Sequence, residues 1–229
     1  TGLINAKNTG TSDIFSGNGT FKIKTELIDT ASDSTIAYGI DINKNFKIEN
    51  YDNLDISTSG KNAYSFMQSR INKEAATEIH NINNLSFQAN STEESAGIYS
   101  RQKGIVTIQS NTIHIDAKSD RNTYGIISLE GSSVSLDGAM TMEASGGALS
   151  YALLASTGSN INVNKNNTNK TSITEIDAKS DTDAYGIIAM ERSSISLDGA
   201  MTMKAFGVES SYALYASDGS NINVNKDNT

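Results

Sequence analysis

Apolar and polar residues alternate in short strings along most of the chain. In the segment 160–164 (NINVN), Ile161 and Val163 share one side of an extended backbone, and three asparagines share the other. The segments 132–137 (SSVSLD) and 139–142 (AMTM) alternate in the same way. Side chains of a strand point to opposite faces in turn, so this pattern predicts half-buried β-strands. No long window repeats its apolar residues at helical spacing, and we therefore expect an all-β chain.

A long segment of the chain occurs twice. Residues 115–168 align without gaps on residues 176–229, and 39 of the 54 aligned positions are identical. A finer period lies within each copy, because the block that begins at Tyr124 returns at Tyr151. An alanine stands seven residues before most block starts, whereas Ser57 takes that place before Tyr64. Related blocks, spaced 26 to 34 residues apart, begin at Tyr38, Tyr64, Ala96, Tyr124, Tyr151, Tyr185 and Tyr212.

Each block holds about three short strands, separated by turn sequences such as Gly-Ser, Asp-Gly and Lys-Ser-Asp. One block cannot bury its apolar side alone, but stacked blocks can. The period therefore predicts a right-handed parallel β-helix of about seven coils with three short strands per coil. In this arrangement Val134 stacks on Ile161, and Leu136 stacks on Val163. The absence of Pro agrees, because Pro removes a donor from an interior strand.

The whole chain, residues 1–229, is predicted to form one β-helix with two inserted loops, near residues 68–83 and 165–172. The blocks are longest there, and loops of this kind often carry binding sites. The segment 68–81 (QSRINKEAATEIHN) is rich in Glu and Ala and is predicted to form one or two helical turns. Neither end carries an amphipathic cap for the open sheet edge, so we expect the sequence to be a piece of a longer protein.

Composition and charge narrow the function. The chain contains no Cys, no Pro and no Trp, and its formal net charge is −8. The negative charge argues against binding to nucleic-acid phosphates. The absence of Cys excludes a disulfide framework and cysteine-ligated metals. The sequence shows neither a signal-peptide pattern nor an apolar run long enough to span a membrane.

Short polar-faced coils, Gly-Ser-x-Ile/Val-x-Val/Leu units and the lack of Cys resemble the passenger domain of a Gram-negative autotransporter (type V secretion). Filamentous-haemagglutinin-type adhesins and phage tailspikes have similar units. The resemblance implies a β-helix that is exposed on the surface of a Gram-negative bacterium or secreted. Its only membrane attachment would be a C-terminal barrel that this sequence lacks. The resemblance also implies an adhesin, whose partner is a host or bacterial surface protein or glycan, or another passenger.

Candidate catalytic residues are scarce. His80 and His114 are isolated from each other, and no Gly-x-Ser-x-Gly motif occurs. Clustered carboxylates serve polysaccharide lyases and hydrolases on this fold, and Asp116 recurs in register with Asp177. We expect a neutral residue in the coil between them, and therefore a chain that is not an enzyme and holds no cofactor or metal. Further acidic pairs in register are Asp120 with Asp181, Glu130 with Glu191, and Asp137 with Asp198.

Two sets of residues are predicted to bind partners. The first inserted loop offers mixed charges for a ligand at Arg70, Lys73, Glu74, Glu78 and His80. An asparagine ladder offers a self-association surface at Asn160, Asn162, Asn164, Asn221, Asn223 and Asn225. The tyrosines at the coil starts are predicted to pack at a corner with their hydroxyls in water. The predicted function is a surface adhesin without catalysis; a β-helical polysaccharide lyase or hydrolase and a passive stalk remain alternatives.

Overall fold

The computed structural model describes residues 4–6, 13–27, 36–69, 76–164 and 173–224. These residues form strands and turns, with no helix among them. In chain order the strands are β1 Ile4–Ala6, β2 Asp13–Ser16, β3 Thr20–Glu26, β4 Ile36–Ile42, β5 Phe46–Glu49, β6 Asn53–Ser69, β7 Ala76–Arg101, β8 Ile105–Ser119, β9 Asn122–Ser128, β10 Ser133–Gly146, β11 Leu149–Ala155, β12 Asn160–Val163, β13 Ile173–Ser180, β14 Asp183–Ala189, β15 Ser194–Leu197, β16 Ala200–Phe206, β17 Ser210–Ala216 and β18 Asn221–Val224.

The described strands pair in parallel, each with the strand one coil away, and build a parallel β-solenoid of about six turns. The predicted fold class is confirmed, with a coil number close to the seven expected. The chain runs in each coil through three sides, which we name by their outer residues. The tyrosine side contains β4, β9, β11, β14, β17, residues 62–69 and residues 94–101. The serine side contains β2, β5, β12, β15, β18 and residues 76–80, 105–109 and 133–137. The charged side contains β3, β13, β16 and residues 53–60, 84–91, 112–119 and 139–146.

The predicted register of the coils is confirmed at every block start. Val134 pairs with Ile161 and Leu136 with Val163, as the sequence predicts. The offset of 61 residues between the two copies of the duplicated segment therefore corresponds to two coils. Successive block starts pair in the order Tyr38, Tyr64, Ala96, Tyr124, Tyr151, Tyr185 and Tyr212.

The core consists of columns of aliphatic side chains that point into the solenoid. One column on the serine side runs through Val106, Val134, Ile161 and Ile195, and each of these side chains is fully buried. We call the equivalent strand positions of one coil on one side of the solenoid a rung. Every member of the column is covered by the rung before it and the rung after it. Burial of one such side chain stabilises a fold by about 1.5–3 kcal/mol, so the stacking of rungs is the main source of stability.

The repeated Gly-Ser unit forms the corner between the tyrosine and serine sides. Gly158 has a φ of 72°, which glycine adopts without strain, and it reverses the chain. The next residue, Ser159, turns inward and is fully buried. Its hydroxyl accepts a hydrogen bond from the backbone N–H of Ser132 at 3.2 Å, and its own N–H donates to the hydroxyl of Ser193 at 3.1 Å. The serine column thus satisfies backbone groups that no strand partner reaches.

The inserted loop near residues 68–83 differs from its prediction. Residues 68–69 belong to β6 and residues 76–81 to β7, and residues 76–80 pair with neighbouring strands, so the predicted helical turns are wrong for these parts. Sheet pairing is more favourable there because Ile79 completes a buried aliphatic column between Ile48 and Ile108. Residues 70–75 and the second predicted loop, 165–172, lie outside the described residues.

The alanine column on the charged side is confirmed, with one correction. Ala89, Ala117, Ala144, Ala178 and Ala205 pair in succession. The residue that pairs with Ala89 is Thr58 and not Ser57, because the register shifts by one residue between Gly60 and Asn62. Ala31 lies outside the described residues.

Candidate interaction surfaces

The serine side carries the predicted asparagine ladder, but its asparagines are separated by serines. Asn160 pairs with Ser194, which in turn pairs with Asn221. The carbonyl oxygen of the Asn160 side chain accepts a hydrogen bond from the Ser194 hydroxyl at 2.6 Å. Asn162 and Asn223 are related in the same way through Ser196. The outer surface here is an uncharged array of amides and hydroxyls, and its role in self-association stays a prediction.

Asn164 does not belong to that outer array. Its side chain is only 3% exposed, because it turns inward at the end of β12. Its Oδ1 accepts a hydrogen bond from the N–H of Gly138 at 2.9 Å, and its Nδ2 donates to Thr174 Oγ1 at 3.2 Å. Both amide groups are thus used within the chain. Asn225 lies outside the described residues.

Directly stacked asparagines occur elsewhere, at the corner between the serine and charged sides in the first half of the chain. Asn111 Nδ2 donates to Asn83 Oδ1 at 3.1 Å, and Asn83 Nδ2 donates to Asp52 at 3.1 Å. A parallel ladder joins Asn84 to Asn53 at 3.0 Å. The sequence carried a signal for these ladders, because segments 50–53 (NYDN) and 81–84 (NINN) occupy equivalent places in successive coils.

The predicted ligand-binding residues divide into two groups. Glu78 and His80 lie on the outer face of the serine side, beside Lys47 and Glu49 of the preceding coil. His80 Nε2 is 3.2 Å from Glu49 Oε2, and Lys47 Nζ is 2.8 Å from the same oxygen. The hydrogen bond from Lys47 lowers the pKa of the Glu49 carboxyl. The structure thus places Glu78 and His80 within a mixed-charge cluster.

Arg70, Lys73 and Glu74, the other predicted ligand-binding residues, lie outside the described residues. Whether they approach Glu78 and His80 therefore stays a prediction. The strand that carries Glu78 and His80 is well defined in position by its pairing with β5 on one side and with β8 on the other.

A column of three carboxylates runs along the charged side. Glu143 pairs with Asp116 in one direction and with Asp177 in the other, so the expectation of a neutral residue between these aspartates is wrong. Two lysines offset the repulsion between like charges. Lys118 Nζ lies 3.0 Å from Asp116, and Lys179 Nζ lies 2.9 Å from Asp177. These hydrogen bonds raise the pKa of both lysines.

The lysines make this column a network of half-exposed ion pairs. Lys179 also reaches Glu143 at 3.3 Å, so one cation serves two carboxylates. Exposed pairs of this kind contribute at most about 1 kcal/mol each to stability. Within the described residues no three His, Asp or Glu side chains converge as the ligands of a metal ion would. For the other acidic pairs the middle coil is neutral, with Thr157 between Glu130 and Glu191.

The tyrosine side carries an apolar surface on its outer face, which the sequence interpretation placed at a corner. Tyr124, Tyr151, Tyr185 and Tyr212 stack with ring centroids 5.0–5.4 Å apart and with nearly parallel planes. We call this the tyrosine column. Beside it lies a second column, here named the aliphatic column, which contains Met67, Tyr99, Ile127, Leu154, Ile188 and Tyr215.

The two columns pack against each other as a second apolar cluster, separate from the interior. Ile188 is 3% exposed and Leu154 is 7% exposed, although both point away from the core. The tyrosine rings remain partly exposed beside them. Burial raises the pKa of the Tyr124 hydroxyl.

The tyrosine column contains one substitution, at Ala96. The ring missing there is replaced by that of Tyr99 from the neighbouring column, which stacks on Tyr64 with centroids 5.0 Å apart. The Tyr64 hydroxyl donates a 2.5 Å hydrogen bond to Glu94. Burial and this bond raise the pKa of Tyr64. Arg101 lies at the other end of the same strand, with Cζ 6.0 Å from the centre of the Tyr99 ring.

Comparison of the chain with protein-family models, with curated proteins and with solved structures found no match. None of the described residues forms a helix long and apolar enough to cross a membrane.

Proposed function

We propose that this chain is an adhesive solenoid of a bacterial surface protein, which binds through its outer faces and performs no catalysis. The observation that carries the proposal is the repetition of outer groups in register. Amides and hydroxyls recur along the serine side in the rungs of residues 133–137, β12, β15 and β18, and aromatic rings recur along the tyrosine side in every rung from Tyr38 to Tyr212. Rungs lie about 4.8 Å apart, so a partner meets many similar weak contacts in a row. Such contacts bind strongly only in combination.

The resemblance to autotransporter passengers supports the setting of this proposal. The protein acts on the outer surface of a Gram-negative cell or after secretion, carried by a membrane barrel outside this sequence. Its partner is a protein or glycan of a host or bacterial surface, or another copy of the solenoid. The acidic character of the chain, with a net charge of −8, disfavours bare nucleic acid as the partner.

The test is adhesion at controlled density. Beads coated with the chain at increasing density are mixed with bacterial and epithelial cells, and bead retention is counted. We expect retention to rise more steeply than coating density, because several contacts must form together. Retention no greater than that of albumin-coated beads at every density would contradict the proposal and favour a passive stalk.

Variants separate the predicted ligand-binding residues from the solenoid faces. Arg70, Lys73 and Glu74 precede β7 and are replaced together by serine in one variant. Glu78 and His80 are replaced by serine in another, which leaves the core column of Ile48, Ile79 and Ile108 unchanged. If these residues bind the ligand, both variants lose retention. A matched control replaces Glu175 and Thr202 on the charged side by serine.

A polysaccharide lyase or hydrolase is the second candidate. The stacked carboxylates of Asp116, Glu143 and Asp177 favour it, because paired carboxylates perform acid–base chemistry on sugars. Incubation with acidic polysaccharides, with and without Ca²⁺, tests this candidate by the release of reducing or unsaturated ends. Turnover that is lost in Glu143→Gln would replace the adhesive proposal by an enzymatic one.

A further inference from the structure

The tyrosine side differs from the other two sides because its outward surface is apolar. An outer strand position in a solenoid is not required to be apolar, and the serine and charged sides carry mostly polar groups there. On the tyrosine side the rings of Tyr124, Tyr151 and Tyr185 remain half-buried, flanked by Leu129 and Met190. An apolar outer surface that runs along the solenoid is typical of an interaction site.

The extent of this surface can be worked out from strand geometry. Seven rungs, from Tyr38 to Tyr212, span about 29 Å along the solenoid at about 4.8 Å per step. Across the surface, the outer positions Glu94 and Arg101 are seven residues apart on one strand, or about 23 Å at about 3.3 Å per residue. The surface thus measures about 670 Å², and a pair of such surfaces would bury about 1,300 Å².

We infer that the tyrosine side pairs with the tyrosine side of a second copy of this chain, related by a twofold axis parallel to the solenoid. This inference rests on the proposed adhesive function and names one partner and one surface for it. In this arrangement each rung faces the same rung of the partner. The strands run in opposite directions across the contact, so the tyrosine column of one copy lies over the aliphatic column of the other.

Charge complementarity supports this arrangement. In the rung of Ala96, Glu94 begins and Arg101 ends the part of β7 on the tyrosine side, so the two lie on opposite borders of the apolar surface. The twofold axis brings Glu94 of each copy opposite Arg101 of the other. Arg101 is partly exposed: its Cζ lies over the Tyr99 ring, and its Nε is buried within the copy. The second copy thus offers a carboxylate to the exposed part of each arginine side chain, on both sides of the axis at once.

The size of the surface predicts how the contact behaves. An interface of about 1,300 Å² is at the lower end of those that hold two proteins together, and much of this one is already packed within each copy. In this arrangement Asp183, on the border of a later rung, faces Met190 of the partner, where partial loss of hydration of its carboxylate lowers the affinity. We therefore expect weak, reversible pairing in dilute solution. Many copies on a surface strengthen it through avidity.

A charge-reversal cycle tests the inference. Sedimentation equilibrium is measured on the intact chain, Glu94→Arg, Arg101→Glu and the double variant, from micromolar to millimolar concentration. Each single change places like charges opposite each other, and we expect association to weaken about tenfold or more. The double variant recreates the pair with its signs exchanged, and we expect association to return to within about threefold of the original.

Controls separate this effect from net charge and from folding. Glu175→Arg and Lys204→Glu make the same charge changes on the charged side, and we expect them to leave association unchanged. Glu94→Gln keeps a hydrogen-bond acceptor for Tyr64, so weaker association without a change in thermal unfolding is expected. Far-UV circular dichroism of every variant verifies that the solenoid is folded.

Three outcomes would overturn the inference. The intact chain could stay monomeric at all concentrations, the single reversals could leave association unchanged, or the double variant could fail to restore it. If coated beads adhere to cells while the intact chain does not self-associate, only this inference fails and the adhesive proposal stands. If the beads do not adhere either, both fail.

Discussion

If the stacking of rungs is the main source of stability, truncation of a core side chain should cost more where a rung covers it on both sides. The duplication supplies a matched pair of leucines with which to test this. Leu153 and Leu214 occupy the same place in SYALLAS (150–156) and SYALYAS (211–217). Leu153 is fully buried between Ile126 and Ile187. Within the part of the chain that the structure describes, Leu214 pairs with Ile187 on one side only, and it is 44% exposed. Sequence context is nearly constant, so a difference between the two sites reports the missing neighbour.

Truncation of Leu153 to alanine leaves a cavity enclosed by the rungs above and below. Full burial of a leucine side chain contributes about 1.5–3 kcal/mol, and the cavity adds to the loss. We expect Leu153→Ala to lower the free energy of unfolding by about 3–4 kcal/mol. Little more than half of Leu214 is buried and no closed cavity forms, so Leu214→Ala should cost about 1 kcal/mol.

Urea unfolding measured by far-UV circular dichroism and by the fluorescence of the nine tyrosines checks this difference. An end rung of a solenoid can open before the rest, so amide hydrogen exchange should show the effect of Leu214→Ala confined to the last coil. The two sites are two rungs, about 10 Å, apart, and share Ile187 as a neighbour, so the double variant measures the coupling between them through that residue. Equal losses from the two single variants would refute the argument that stability comes from cover on both sides.

Three further predictions follow from the corners, the ladders and the buried hydroxyls. Gly138 and Gly158 both have positive φ, but only at Gly138 would an added Cβ meet a backbone oxygen, that of Ser110 at 2.1 Å. In urea unfolding we therefore expect Gly138→Ala to destabilise the fold by about 2–6 kcal/mol and Gly158→Ala by about 1–2 kcal/mol. Asn83→Ala removes a donor to Asp52 and an acceptor for Asn111, and a loss of about 1–2 kcal/mol is expected, whereas no loss would show that the ladder adds nothing. Because folding raises the pKa of Tyr64 and Tyr124, their contribution to stability is complete below the ordinary tyrosine pKa of about 10 and is lost as the pH rises above it; ultraviolet titration should show at least two tyrosines that ionise only on unfolding.

The coil register was predictable because stacking demands like residues above like. The pairing of Val134 with Ile161 follows from the apolar period alone, and so do the block starts from Tyr38 to Tyr212. The one-residue shift between Gly60 and Asn62 was not predictable, since a bulge adds one residue to one strand, here β7, without changing the alternation on either side of it.

The contacts between outer side chains were harder to predict, because a side chain exposed to water can be of many residue types. The placement of Glu143 between Asp116 and Asp177 was missed because the middle coil was read on the serine side, although these residues lie on the charged side. The inward turn of Asn164 was missed because the alternation of NINVN ends at the corner. A period shows which coil carries a residue, whereas contacts across a corner depend on backbone turns that the period does not encode.

The tyrosine side has two possible causes, and they predict different measurements. Rings that stack along a column stabilise neighbouring rungs, which alone could explain the nearly complete burial of Ile188 and Leu154. If stacking within one copy is the cause, Glu94 and Arg101 contact no second molecule. Reversal of either charge then changes the free energy of unfolding but not the association constant. A contact between copies predicts that Arg101→Glu weakens association, in addition to any loss of stability from its contact with the Tyr99 ring. Glu94→Gln keeps an acceptor for Tyr64, so association that weakens in this variant while unfolding stays constant would assign the surface to recognition rather than to packing.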